Sequence, residues 1–156
     1  MFTIDASVWV NGFDQREPGH EQSRQLLERL GQATIPIFVP NLVLVEVAGA
    51  ISRTRQNAQQ AQTFAATMRD LPNVTMVQLD LTLADRASTL AAQHGLRGAD
   101  AVYAVVALEY GCTLISLDHE HLCRLAGVVT VQTPAQALRN IPVAPPIPNE
   151  QPEQSI

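Results

Sequence analysis

The sequence contains no lysine, and its 10 basic residues, all arginines, are outnumbered by 15 acidic residues. This balance argues against strong non-specific binding of nucleic acid, which depends on neutralising phosphates with an excess of positive charge. If four of the acids occupy one metal site, however, the remaining acids nearly balance the arginines. Local basic patches are then still possible, and RNA binding is not excluded.

Cysteines and long apolar runs are also scarce. Cys112 and Cys123 are the only cysteines, too few for a disulfide framework and not spaced as a CxxC pair. No apolar stretch approaches the ~20 residues that span a bilayer, and residues 1–5 lack the basic and apolar regions of a secretory signal. We therefore expect a cytoplasmic protein without a membrane contact.

Short apolar segments alternate with longer helical patterns along the chain. The apolar segments are rich in β-branched residues, which is typical of buried parallel strands, and the longer segments repeat apolar residues at helical spacing. Strands are predicted at about 2–4, 35–39, 74–77, 113–117 and 128–131, and helices at about 19–31, 42–55 and 83–93. The alternation predicts an α/β fold, a three-layer α/β/α sandwich with a central, mainly parallel sheet.

Local signals at the ends of these segments agree with this prediction. Asn41 precedes the helix at 42–55 as a candidate N-cap, and Gly31, Gly95 and Gly111 follow helical patterns where a C-terminal glycine is favoured. We predict one domain over residues 1–140. Residues 141–156 are rich in proline and are predicted to form a tail without regular structure.

Four acidic residues fall at corresponding places in this pattern. Asp5 ends the first strand, Asp118 follows the strand at 113–117, Glu46 lies just over one turn into a helix, and Asp100 opens another helix. In a parallel α/β fold, strand carboxyl ends and helix amino ends share one edge of the sheet, where ligands bind. All four residues are therefore predicted to meet at that edge.

Each of these acids also has a simpler explanation, as a helix cap, a first-turn charge or a surface residue. The surroundings of Asp5 and Glu46 are apolar, however, and a buried carboxylate needs a partner. No arginine lies immediately beside either residue in the sequence. A hard divalent cation would neutralise the clustered oxygens, and oxygen-only ligands suit Mg²⁺ or Mn²⁺.

The ordered series of acidic segments resembles the PIN-domain nucleases. The resemblance runs from residue 2 to about residue 138 and is strongest at 5–7 (DAS), 40–46 (PNLVLVE), 97–103 (RGADAVY) and 114–118 (LISLD). Among PIN proteins the chain is similar to the compact VapC-type toxins, which cut RNA and are held inactive by a protein antitoxin.

This resemblance implies an acidic quartet of Asp5, Glu46, Asp100 and Asp118 that binds Mg²⁺ and hydrolyses RNA phosphodiester bonds. Ser116 is implied as a further catalytic residue and Ser7 as a weaker candidate. Arg97, just before the helix of Asp100, is the favoured substrate-binding residue, ahead of Arg53, Arg55 and Arg124.

Other classes remain to be weighed against this one. The lack of a lysine and of a GxxxxGK[ST] loop disfavours nucleotide triphosphatases and receiver domains. A haloacid-dehalogenase-like phosphatase would need an aspartate at the position of Ser7. The alternative from another class is a non-catalytic PIN-like module that binds RNA or a protein.

A homodimer is predicted from a mixed apolar and arginine-bearing surface on the helices at about 42–69, which one small sheet is not expected to cover fully. Its members include Val43, Phe64 and Met68.

Overall fold

The computed structural model describes residues 1–142, apart from the side chains of residues 120–122. A central sheet of five parallel strands runs through the molecule. The strands are β1 (Phe2–Ile4), β2 (Ile37–Pro40), β3 (Val74–Val77), β4 (Thr113–Ile115) and β5 (Val131–Gln132). The helices are α1 (Ala6–Phe13), α2 (His20–Gln32), α3 (Leu42–Arg55), α4 (Ala58–Arg69), α5 (Leu81–His94), α6 (Gly98–Glu109), α7 (His119–Arg124) and α8 (Pro134–Ala137).

The strand order is β3-β2-β1-β4-β5. The chain first builds outward from β1 through β2 to β3 and then returns to the other side of β1 with β4, where Phe2 pairs with Thr113 and Ile4 with Ile115. The winding direction therefore reverses between β1 and β4. In open parallel sheets such a reversal leaves a crevice at the strand carboxyl ends, and ligands bind there.

Helices cover both faces of this sheet. The crossovers from β1 to β2 and from β2 to β3 run in the same direction across the sheet, so the right-handed rule for such connections assigns α1 to α4 to one face. There α1 packs on α2 and α3, and α3 packs on α4. The crossover from β3 back to β4 runs in the other direction, so the same rule assigns α5 and α6, which pack on each other, to the opposite face. The predicted three-layer α/β/α sandwich with a parallel sheet is therefore confirmed.

Helix α6 is apolar around its whole circumference because it lies between two layers. Every residue from 101 to 107 is buried. Tyr103 and Ala104 join the main core along the sheet, whereas Val102 and Val105 pack in a second cluster with Leu83 of α5. A helix that is apolar all round is buried among its neighbours. The packing of α6 therefore also fixes the position of its first turn.

The helix-end signals were only partly correct. Gly95 and Gly111 adopt positive φ angles of 63° and 60° after their helices, as predicted. Gly31 instead lies inside α2, and the positive φ near that end belongs to Thr34. Asn41 has a helical backbone and no capping bond to α3. Its Oδ1 accepts a hydrogen bond of 3.2 Å from the Leu79 backbone N–H, which links two loops after neighbouring strands.

A buried ion pair ties the end of α1 to the end of α3. The Asp14 carboxylate, only 3% exposed, accepts hydrogen bonds from Arg16 Nη2 at 2.9 Å and Arg55 Nη2 at 2.8 Å. The Arg55 guanidinium also lies over the Phe13 ring, 5.7 Å from its centroid. This arrangement fixes the loop that follows α1.

Two residues of the predicted dimer surface belong to the protein's own core. Val43 is 0% and Met68 2% exposed, and both belong to the main cluster. The prediction that they form an exposed surface is wrong, because α3 and α4 pack on each other and on the sheet. Phe64 is partly exposed, and the homodimer itself remains a prediction.

None of the helices within residues 1–142 combines the length and the apolar character needed to cross a bilayer. Nearly all of the predicted tail at 141–156 lies outside the described residues.

Candidate active site

Asp5 lies at the carboxyl end of β1, where the winding direction of the sheet reverses. Two serines hold its carboxylate. Its Oδ2 accepts a hydrogen bond of 2.5 Å from Ser7 Oγ and one of 3.1 Å from Ser116 Oγ. The backbone N–H of Ser7 also donates to Oδ2, so that Asp5 caps α1. Asp5 is therefore both a helix cap and an oriented, buried carboxylate.

The same two serines connect this carboxylate to the loop after β4. Ser7 Oγ accepts a hydrogen bond of 3.2 Å from the Leu117 backbone N–H, and Ser116 Oγ accepts one of 3.0 Å from the Asp118 backbone N–H. Each hydroxyl thus donates to Asp5 and accepts from the neighbouring loop. Asp118 is joined to Asp5 through a single buried side chain, since Ser116 is 0% exposed.

Arg97 lies close to Asp118 at the amino end of α6. Its Nη1 is 3.9 Å from Asp118 Oδ2, and its side chain is 69% exposed. The predicted substrate-binding arginine is therefore at the acidic edge and accessible to solvent. Arg55 is engaged with Asp14, and Arg124 donates to the Gly95 carbonyl.

Glu46 projects from the second turn of α3 and contacts α6. Its Oε2 accepts a hydrogen bond of 2.6 Å from the Tyr103 hydroxyl. Burial raises the pKa of the Tyr103 phenol well above its ordinary value, and the negative charges of Glu46 and Asp5 raise it further. The phenol is therefore a permanent donor that lies close to two members of the predicted quartet.

Asp100 is in the first turn of α6, three residues before Tyr103. Residues three apart on a helix share a face, so Asp100 and Tyr103 are neighbours along α6. The structure thus brings Asp5, Ser116 and Asp118 together directly, connects Glu46 to the same region through Tyr103, and places Asp100 beside that tyrosine. Among the side chains that the structure describes, no three acidic, histidine or cysteine groups already form a cage for a metal ion.

A groove of about 640 Å³ opens beside this acidic edge. Ser7 and Glu46 line it, together with Arg53 and the exposed apolar side chains of Val45 and Leu117. Val45 is 70% exposed although it lies in an apolar stretch of α3. The groove therefore joins the acidic edge to an arginine and an apolar surface.

Sequence reasoning missed Tyr103. The spacing of Tyr103 from Asp100 on an apolar helix was the available signal. It does not identify the partner, because Glu46 is 57 residues away in sequence.

The family of the chain is shown by a family model. The model of the PIN domain matches residues 2–128, most of the chain. The chain belongs to the PIN-domain family. The resemblance expected from the acidic segments is confirmed, and all four acids and both serines lie within the matched region.

Solved structures of low sequence identity share the PIN fold. VapC20 from Mycobacterium tuberculosis, a sarcin–ricin loop cleaving toxin, has a TM-score of 0.65 at 19% identity, over 78% of this chain and 93% of its own. A toxin–antitoxin complex from Klebsiella pneumoniae has a TM-score of 0.61 at 21% identity, over 86% and 98%. FitAcB from Neisseria gonorrhoeae has a TM-score of 0.64 at 17% identity, over 86% and 99%. No curated protein sequence matches this PIN domain.

Proposed function

We propose that this PIN domain is a Mg²⁺-dependent endoribonuclease and the toxin of a toxin–antitoxin pair. The observation that carries the proposal is the fixed orientation of Asp5 by Ser7 and Ser116 at the carboxyl edge of the sheet. A helix cap alone does not require two side-chain donors and a link to a second acidic loop. Such an arrangement suits a carboxylate that must meet a ligand in one geometry.

The donor set fits a hard divalent cation. Asp5, Glu46, Asp100 and Asp118 offer only carboxylate oxygens, the ligands that Mg²⁺ and Mn²⁺ prefer. When bound, the cation supplies positive charge beside the phosphate and lowers the pKa of water for hydrolysis. Asp5 would hold it in the orientation set by the two serines. Ser116 would act beside the reaction centre and also keep the Asp118 loop against Asp5.

RNA is the proposed substrate. A net charge of −5 requires local cations to hold a phosphate backbone near carboxylates. Arg97 beside Asp118 and Arg53 in the groove are the arginines that this edge presents within the described residues. Few arginines make a small electrostatic contribution, and selection by RNA shape would have to supply the remaining affinity.

A protein antitoxin is the proposed partner. One solved relative of similar fold is itself a toxin–antitoxin complex. In this chain, the exposed Val45 and Leu117 beside the acidic edge offer an apolar surface for such a protein. A toxin that acts on RNA would work in the cytoplasm.

Cleavage of RNA by the purified protein tests the proposal. We expect cleavage with Mg²⁺, none with EDTA, and none from Asp5→Asn or Asp100→Asn. Asp85→Asn, an exposed change on α5, is the matched control and should cleave normally. Expression of the wild type alone should arrest growth, and Asp100→Asn should not. RNA binding without Mg²⁺-dependent cleavage would favour the non-catalytic module instead.

A further inference from the structure

Tyr103 is the largest fully buried side chain among the described residues, and its hydroxyl contacts Glu46 at the acidic edge. The hydroxyl donates to Glu46 Oε2 at 2.6 Å and therefore joins α6 to α3. A buried hydroxyl needs hydrogen-bond partners, but a backbone carbonyl would satisfy that need as well as a glutamate.

The two ends of this contact differ in rigidity. Tyr103 is held by an apolar helix whose residues 101–107 are all buried. Glu46 has a flexible side chain on a partly exposed stretch of α3 and lines the groove next to the exposed Val45. An unrestrained glutamate loses rotamer entropy when it binds a cation. A bond to the rigid phenol removes that freedom before the cation arrives.

The bond also leaves Glu46 able to act as a ligand. A carboxylate has two oxygens and about four lone-pair sites, and the phenol uses one of them. A phenol that donates a hydrogen bond carries no positive charge and therefore does not compete with a cation for the site. A lysine or arginine in the same place would neutralise Glu46 and weaken its attraction for metal.

We infer that Tyr103 is a positioning residue: its hydroxyl fixes the Glu46 carboxylate beside Asp5 and thereby strengthens divalent-cation binding. This inference rests on the proposed metal-dependent function. It assigns α6 two tasks, because the helix carries Asp100 in its first turn and the support for Glu46 one turn later.

Mg²⁺ titration of thermal stability, without RNA, tests the inference. Tyr103→Phe removes only the hydroxyl. Tyr110→Phe is the matched control, because Tyr110 stacks on Phe38 at the other end of α6. Wild type and Tyr110→Phe should be stabilised at the same Mg²⁺ concentrations. Tyr103→Phe should need at least about tenfold more Mg²⁺ for the same thermal stabilisation, because the loss of a group that orients a metal ligand usually weakens metal binding by this factor.

A double-mutant comparison separates positioning from general packing. If Tyr103 acts through Glu46, then Tyr103→Phe should weaken Mg²⁺ binding no further in a Glu46→Ala background. An equal weakening in both backgrounds would overturn the inference. Wild-type Mg²⁺ affinity in Tyr103→Phe would overturn it as well, while leaving the proposed function intact. A wild type that Mg²⁺ does not stabilise would overturn both.

A spectroscopic measurement covers the case in which Tyr103→Phe does not fold. The chain has two tyrosines, so Tyr103 is the sole tyrosine of the Tyr110→Phe protein. Mg²⁺ bound by Glu46 withdraws charge from the acceptor of the phenol, and the near-ultraviolet tyrosine band should shift. The shift should disappear in Tyr110→Phe/Glu46→Ala. A tyrosine band unchanged by saturating Mg²⁺ would overturn the inference.

Discussion

At the scale of single residues, two serine hydroxyls give a capping aspartate a fixed carboxylate orientation. Ser7 and Ser116 each donate to the same oxygen of Asp5 and each accept a backbone N–H from the loop after β4. A hydroxyl can do both, because it has one proton and two lone pairs. Removing either serine therefore affects Asp5 and the neighbouring loop together.

Ser116→Ala should lower both stability and activity. The change removes the Ser116 hydroxyl that accepts from the Asp118 backbone N–H and is one of the two serine hydroxyls that donate to Asp5, in a site where Ser116 is fully buried. We expect a loss of about 1–3 kcal/mol in the free energy of unfolding and a drop of about 10–100-fold in the rate of RNA cleavage. Urea denaturation and cleavage kinetics measure the two effects.

Ser88→Ala on the exposed side of α5 is the control and should change neither quantity. If Ser116→Ala kept wild-type activity, Ser116 would have no role in orienting Asp5.

Arg97→Ala should weaken RNA binding without disturbing the fold. The side chain is 69% exposed and 3.9 Å from Asp118, so its loss removes little packing. We expect KM for RNA to rise several-fold. The slope of log affinity against log salt concentration should fall by the amount that corresponds to about one phosphate contact. Arg69→Ala, which removes an exposed arginine paired with Asp70, is the control. Equal salt dependence for wild type and Arg97→Ala would contradict the substrate role.

At the scale of elements, the buried carboxylate of Asp14 holds α1 and α3 in place beside the groove. The side chain of Arg16, which hydrogen-bonds to it, lowers the pKa of Asp14 well below its ordinary range, and Arg55 adds to this effect. Because the pKa of Asp14 is lower in the folded than in the unfolded protein, Asp14 stabilises the native state at pH values above its unfolded pKa of about 4. This stabilisation is lost as the pH falls toward the folded pKa.

Asp14→Asn should therefore destabilise the protein near neutral pH and progressively less below about pH 4. Urea denaturation of wild type and variant at pH 7 and pH 3 measures the difference. Asp70→Asn is the control, because Asp70 pairs with Arg69 in an exposed position and should contribute little at either pH. If the free energy of unfolding differed between wild type and Asp14→Asn by the same amount at pH 7 and pH 3, this would contradict the role of the ion pair.

At the scale of the whole molecule, the predicted homodimer depends on the part of its surface around Phe64 that stays outside the core. Phe13 and Phe64 lie with ring centroids 4.7 Å apart and line a groove of about 440 Å³ together with Thr63 and Thr67 of α4. Because Met68 is buried in the core, this groove is the partly apolar surface that remains exposed on α4. A second copy that covers it would bury both phenylalanines.

Light scattering at micromolar concentration should therefore give the mass of a dimer for the wild type. Thr67→Arg, at the exposed side of the groove, should give a monomer, because an uncompensated charge in an interface is costly. Thr89→Arg on α5 is the control and should remain dimeric. A monomeric wild type, with and without Mg²⁺, would contradict the predicted dimer.

The sequence by itself determined the fold class and predicted the edge of the sheet that carries the acids. Short β-branched runs alternating with helical patterns specify a parallel α/β sheet, and such a sheet brings strand carboxyl ends and helix amino ends together whatever the strand order. The positions of Asp5, Glu46, Asp100 and Asp118 relative to these segments were therefore sufficient to predict a common edge. The acidic segments also identified the PIN family.

The tertiary structure alone decided the contacts between elements. The strand order places β4 beside β1, which lets Ser116 reach Asp5 across 111 residues of sequence. The packing of α6 brings Tyr103 to Glu46, and the packing of α3 and α4 buries Val43 and Met68. Periodicity reveals that a helix has an apolar face, but not which element covers it. That choice is made by the packing of the whole core, to which residues far apart in sequence contribute together.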